Sequence, residues 1–155
     1  MRRNWLIALA LLSAPVAACA QTTDTQSTVA QNVAPKVDGF GGFFFRAEDP
    51  AMLARWYLDN LGIDLVPQSY DVEPWKQEAG YTVFSPFPAD STFIAEGKTF
   101  MFNFRTSDLD GLVAHLRANG TEVEVDETLY PNGRFASLVD PEGNPIQLWE
   151  PADIE

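Results

Sequence analysis

The sequence predicts an α+β fold: two βαβββ modules whose strands pair into one curved, cleft-forming sheet with the helices outside. Two observations predict it. Residues 43–62, FFFRAEDPAMLARWYLDNLG, are echoed by residues 102–120, FNFRTSDLDGLVAHLRANG; at a shift of 59 positions Phe45-Arg46 falls on Phe104-Arg105 and Asp49 on Asp108. A second echo, at a shift of 65, sets Tyr81-Thr82-Val83-Phe84-Ser85-Pro86 on Ile146-Gln147-Leu148-Trp149-Glu150-Pro151. Such a repeat means two copies of one small unit, neither able to bury its apolar face alone.

The segments follow in chain order. Residues 1–18 read as a secretory signal. Arg2 and Arg3 give a positive start, and Leu6 to Leu12 is an apolar run too short to span a bilayer; Ser13 and Pro15 break it before a small-residue stretch. Val16-Ala17-Ala18-Cys19 resembles a bacterial lipobox, which implies cleavage before Cys19 and lipidation of that cysteine. Ala20 follows it rather than aspartate, so resemblance to enterobacterial lipoproteins implies an outer-membrane anchor facing the periplasm. Ala18-Cys19-Ala20 also fits an ordinary signal-peptidase site, which would leave a soluble periplasmic chain beginning at Gln21. Residues 19–36 are the modified cysteine and a polar Thr/Gln/Ser-rich tether. The domain is expected over 37–151, as modules 37–97 and 98–151, with a tail at 152–155.

Each module opens on a β-prone run, 42–46 and 101–105, and each run leads into a helix. In the first helix Asp49 is a good N-cap and Pro50 occupies the first helical position, where its missing N–H costs nothing. Leu53, Trp56 and Tyr57 make its apolar stripe, and Gly62 stops it. In the second, Asp108 or Ser107 caps; Leu109, Leu112, Val113 and Leu116 keep helical spacing, and Asn119-Gly120 ends it. Strand-like segments follow at 62–66 and 80–85 in the first module, and at 122–125, 135–139 and 146–149 in the second. Between the last two, Asp140-Pro141-Glu142-Gly143-Asn144 reads as a hairpin turn.

Composition narrows the function. The 155 residues are 46% hydrophobic and 12% aromatic, enough for one domain with a real core. A formal charge of -12 argues against binding a nucleic-acid backbone. One cysteine permits no internal disulfide.

The two modules, the helix starts at Asp49-Pro50 and Asp108-Leu109, YLDNLGI at 57–63 and DPEGNPIQLWEP at 140–151 together resemble the vicinal-oxygen-chelate superfamily. That group includes glyoxalase I, bleomycin-resistance proteins and extradiol dioxygenases, and the resemblance covers residues 37–151. It implies a cleft and, in metal-binding members, a His or Gln at the start of each module's first strand and a Glu in each module's last. Carried over by position, those sites are Gly42, Thr82, Met101 and Gln147. A divalent ion wants several imidazole, carboxylate or thiolate donors, and this set supplies one neutral amide. A one-residue shift does not help, because the neighbours are Gly41, Phe43, Tyr81, Val83, Phe100, Phe102, Ile146 and Leu148. No metal and no other cofactor is therefore expected. His115, the one histidine, falls inside the second helix off its apolar stripe and reads as a helix-flank residue. Glu142 and Glu150 read as solvated.

Side chains alternate faces along a strand. Phe43, Phe45, Phe102 and Phe104 form one set, expected against the helices. Gly42, Phe44 and Arg46, with Met101, Asn103 and Arg105, form the other, expected to line the cleft together with Thr82, Phe84, Gln147 and Trp149. Phe44, Phe84 and Trp149 supply apolar surface; Thr82, Asn103 and Gln147 supply neutral hydrogen bonds. Arg46 and Arg105 either meet a ligand or pair with Glu48, Asp49 or Asp108. Tyr130-Pro131-Asn132-Gly133-Arg134 is either a plain turn or, by the resemblance, a loop that closes over the cleft and brings Tyr130 and Arg134 to an anionic or carbonyl ligand. Trp75 walls the site or fills a homodimer interface. No Asp or Glu stands at a predicted cleft-facing strand position, so acid–base chemistry has no obvious actor apart from Tyr81 or Tyr130, and no Ser-His-Asp grouping or phosphate loop is present. The leading reading is a metal-independent binding protein for a small, partly apolar molecule, anchored in the envelope. An enzyme of the superfamily (a lyase, isomerase or dioxygenase) and a lipoprotein serving only protein interaction are the alternatives.

Overall fold

The computed structural model describes residues 36–152. The signal sequence, Cys19 and the greater part of the tether lie outside them. Two units divide between Gly41 and Gly42; of the first, the described residues 36–41 carry neither helix nor strand.

The unit that starts at Gly42 has the order α1 (Pro50–Leu61), β1 (Phe102–Arg105), α2 (Leu109–Ala118), β2 (Glu124–Val125), β3 (Gly133–Val139) and β4 (Pro145–Pro151). Asp49 caps α1 as expected: its carboxylate accepts from the Met52 amide at 3.0 Å, with Pro50 at the first turn. For α2 the structure chooses Asp108 over Ser107; Asp108 accepts from the Gly111 amide at 2.8 Å. Both N-termini are also held by acids from elsewhere in the chain. Glu142 accepts from the amides of Glu48 and Asp49 at 2.9 and 2.8 Å, and Glu150 from the amide of Leu109 at 3.0 Å. Glu142 and Glu150 are therefore not the solvated acids of the sequence reading. A carboxylate at a helix start satisfies orphan N–H groups and meets the positive end of the helix dipole.

The sheet has the order β1-β4-β3-β2, with β1 parallel to β4 and the other pairs antiparallel. Together with α2 it is one complete βαβββ module. The α+β class and the helices on one side of the sheet are as the sequence indicates. The contribution of the first module differs. Among the described residues it supplies α1 but no ladder at 42–46, 62–66 or 80–85. A β-prone run becomes a strand only where its backbone groups find a partner edge. Among the described residues no strand forms at 81–84, and Tyr81, Val83 and Phe84 are exposed. Phe43 and Phe45 instead gather by their rings against Phe100 and Phe102, with centroids 5.0–5.9 Å apart.

The core lies between the helices and one face of the sheet. Leu53 and Tyr57 of α1, Leu109, Val113 and Leu116 of α2, and Ala136, Leu138, Ile146 and Leu148 of the strands are buried there, with Phe102 and Phe104 packed against them. The helix-facing role expected of Phe102 and Phe104 is thus realised, and both rings meet Tyr57 edge-on. At the far ends of the helices, Asn119 donates to Asn60 at 3.2 Å, two asparagines that occupy equivalent positions of the repeat. His115 reaches the Asp59 carbonyl at 3.0 Å, which places it on the flank between the helices.

Beneath α1 sits a buried carboxylate. Asp140 is 3% exposed and accepts from the Tyr57 hydroxyl, the Glu142 and Asn144 amides and the Asn144 side chain at 2.8–2.9 Å. The turn it begins closes through the Gly143 amide, which donates to the Asp140 carbonyl at 2.9 Å, with Gly143 at φ 73°.

Candidate functional site: the helix-free face of the sheet

Register decides which side chains share the other face. Asn103 pairs with Gln147, Gln147 with Ser137 and Ser137 with Glu124, so these four form a polar row across all four strands. One step along, Arg105 pairs with Trp149 and Trp149 with Phe135, which makes an aromatic row with a cation at its end. The indole and the Phe135 ring are near parallel, at 6° and 6.3 Å, and Tyr130 meets Phe135 edge-on at 5.5 Å. On the other side of the polar row lie Val139, exposed, and, by alternation, half-buried Met101.

Local chemistry holds these groups in place. Asn103 Nδ2 donates to Gln147 Oε1 at 2.7 Å. Trp149 is 7% exposed, and its Nε1 donates to the Asn132 carbonyl at 2.8 Å. The indole is therefore a covered edge of the face rather than an open wall. Gly133 makes that possible: at φ 130° a Cβ would overlap the Glu150 carbonyl and come within 2.9 Å of the indole nitrogen. Arg105 donates to the Glu78 carbonyl at 2.9 Å and the Ala79 carbonyl at 3.3 Å. The junction acids anticipated from the sequence are not its partners in the fold; a backbone strap is. Gly80 lets the strap approach, since a Cβ there would run into the guanidinium.

Of the remaining residues of the sequence reading, Tyr130 meets this face through Phe135, and no strand sets the others on it. Arg134 is on the helix side, where its fork makes a two-point pair with Asp110 and a further bond to Glu150 at 3.1 Å. The hydrogen bonds and charge of Arg134 hold the Asp110 carboxyl below its ordinary range, and the pair fastens the start of α2 to the sheet. Tyr130 closes a tight turn with Gly133, and its hydroxyl donates to Asp126 at 3.0 Å. The Asp126 carboxyl is held low first by the Thr128 amide, then by the Thr128 and Tyr130 side chains. The 130–134 segment is thus a self-satisfied turn. Phe44, Arg46, Thr82 and Phe84 are exposed, and the ladder that would set Thr82 and Phe84 beside Gln147 and Trp149 is not formed. Three residues of the face were missed. Phe135 and Ser137 follow from alternation once Gln147 is placed. Glu124 follows from the Glu-Val-Glu-Val pattern at 122–125.

The four positions at which the resemblance would place metal ligands do not fit a divalent ion. Gly42 has no side chain, Thr82 an exposed hydroxyl and Met101 a thioether, and the Gln147 oxygen already accepts from Asn103. Among the described residues no three His, Cys, Asp or Glu side chains are grouped to hold one.

Among solved structures, the chain is 25% identical to TnmS3, an antibiotic binding protein from Streptomyces sp. CB03234, over 67% of this chain and 88% of that one, with a TM-score of 0.44. It is 37% identical to a glyoxalase/bleomycin resistance protein from the same organism, over 32% of this chain and 42% of that one, with a TM-score of 0.29. A glyoxalase family protein from Bacillus anthracis is 21% identical over 65% and 84% of the two chains, at a TM-score of 0.43. No curated protein matches. The family model for the glyoxalase-like domain matches residues 42–149, which takes in α1 and the module that follows it up to the end of β4, and the chain belongs to that family.

Proposed function

We propose that this chain is a metal-independent binding member of the glyoxalase-like family, which takes a small, partly apolar molecule bearing a carbonyl or a weak negative charge. The observation that carries the reading is the helix-free face itself: a polar row of Asn103, Gln147 and Ser137 between an aliphatic and an aromatic flank. A few placed polar groups within apolar surroundings are the usual composition of a small-molecule site. Binding is favoured over catalysis by the placement of the acids. Glu124 stands in the far edge strand and Asp126 just past its end, and Asp126 is engaged by Thr128 and Tyr130. The test is a thermal-shift and Trp-fluorescence screen of small carbonyls, carboxylates and amphiphilic drugs. At least one class should raise the melting temperature and change the indole signal in proportion to occupancy; a screen in which nothing moves either readout defeats the reading.

Metal independence has its own measurement. After dialysis against zinc, nickel, manganese and iron, elemental analysis should find well under one ion per chain. Stoichiometric metal with a matching gain in thermal stability would overturn it.

The same proposal places the domain on a lipid anchor at Cys19, facing the periplasm from the outer membrane. Among the described residues no helix is long and apolar enough to cross a membrane. Cys19→Ala should release a soluble form or leave an unprocessed precursor. If wild type and variant fractionate alike and both begin at Gln21, the chain is an ordinary secreted protein.

A further inference from the structure

We propose that the Asn103–Gln147 pair selects a neutral carboxamide-type group, a C=O with an N–H beside it, over a carboxylate. The inference rests on the small-molecule reading above and narrows it. The parallel register of β1 and β4 sets Asn103 and Gln147 side by side, and one 2.7 Å hydrogen bond fixes the direction of both amides. It uses one Asn103 N–H and the Gln147 oxygen. Left over are the Gln147 Nε2 group, a donor, and Asn103 Oδ1, an acceptor; no described residue hydrogen-bonds either. Asn103 is exposed and Gln147 half-buried, so the pair can be approached from the open face. A donor and an acceptor held next to each other complement a group that offers an acceptor and a donor.

A carboxylate fits this pair poorly. It has no proton for Asn103 Oδ1, and the cations that would attract it are engaged. Arg105, two residues along the same face, is held by the carbonyls of Glu78 and Ala79. Arg134 is committed to Asp110 and Glu150 on the helix side. The chain's formal charge of -12 adds a field that opposes anions. The apolar body of the ligand has Phe135 on one side of the polar row and Val139 on the other. Glutamine at 147 is essential to the selection: glutamate there would still accept from Asn103 but would bring no donor and a further negative charge.

The test compares three matched probes, naphthalene-1-carboxamide, its N,N-dimethyl derivative and 1-naphthoate, titrated at pH 7 into the full chain and into the Gln147→Glu and Asn103→Ala variants. Dissociation constants and the side-chain amide signals of the pair are read by NMR. The carboxamide should bind about 3–10-fold tighter than either other probe, the span that one or two net hydrogen bonds give. Its titration should shift the Gln147 amide signal, and both variants should reduce the preference to within about 2-fold. Asn103 is exposed, so its replacement keeps the comparison meaningful even if Gln147→Glu folds badly. Equal binding of all three probes, tighter binding of the naphthoate, or a preference that survives both variants overturns the amide selection and leaves the small-molecule reading standing. No binding by any of the three overturns the amide selection, and the small-molecule reading falls with it only if the broader screen also moves neither readout.

Discussion

Asp140→Ala should destabilise the chain by roughly 3–4 kcal/mol, because it strands several buried donors at once, each costing about 1–3 kcal/mol before any relaxation. The carboxylate accepts from Tyr57 on α1, from two amides of the 140–144 turn and from the Asn144 side chain, so its loss detaches a helix from a hairpin as well as loosening the hairpin. Chemical denaturation of wild type and variant measures the difference; a change below about 1 kcal/mol would mean that water replaces the carboxylate at no cost. The same contact has an alkaline signature. Burial pushes the Tyr57 phenol above its ordinary value, and the hydrogen bond and charge of Asp140, then the charge of Glu142, push it further. A folded pKa above the unfolded one means that the stabilisation is complete below about pH 10 and is lost as pH rises past it. The unfolded chain then releases the proton while the folded chain keeps it. The slope should be at most about 1.4 kcal/mol per pH unit. Tyr57→Phe should cost about 1 kcal/mol at pH 7 and remove this part of the alkaline decline, which melting curves between pH 9 and 11 can follow.

The second large effect is expected at Gly133. Its φ of 130° is a conformation that side-chain-bearing residues rarely adopt, and a Cβ would overlap the Glu150 carbonyl and lie 2.9 Å from both the Ala152 amide and the Trp149 indole nitrogen. Gly133→Ala should therefore cost about 2–5 kcal/mol, combining backbone strain with overpacking. It should also disturb the functional face, because the obstructed indole is the one stacked on Phe135. The check is a paired measurement of unfolding free energy and Trp emission. A variant as stable as wild type with unchanged emission would show that the turn relaxes freely. Ala is the smallest possible addition, so the result isolates the Cβ.

The helices and the second module were legible because their signals are local. Asp49-Pro50 and Asp108 begin helices by satisfying their own first-turn amides, and the apolar spacing of Leu109, Val113 and Leu116 names the buried stripe without knowledge of what covers it. The Asp140–Asn144 turn is local too. Alternation then placed Asn103, Arg105, Gln147 and Trp149 on one face of the sheet, as the register has it.

What was not legible is non-local in each case. Arg134 carries a fork suited to a ligand, but Asp110 lies across the sheet–helix boundary, and only packing brings them together. Glu142 and Glu150 look solvated in sequence, yet the fold carries them to helix starts more than forty positions away or, for Glu142, more than ninety. The β-prone run at 81–84 lacks a ladder among the described residues because backbone hydrogen bonding requires a second edge, which propensity does not supply.

By itself, then, the sequence determined the element order of the second module, the helix limits, the face on which the amides and the indole stand, and the poverty of metal donors at the positions where the superfamily keeps them. Those follow from periodicity, capping and residue identity, which act over a few neighbours. Only the tertiary structure decided that Arg105 is held by a backbone strap, that Arg134 belongs to the helix side, that Trp149 is covered, and that Asn103 and Gln147 fix each other's direction. Those depend on which distant atoms come within hydrogen-bonding reach, and that is set by the packing of helices on the sheet and by strand register, not by any stretch of chain read alone.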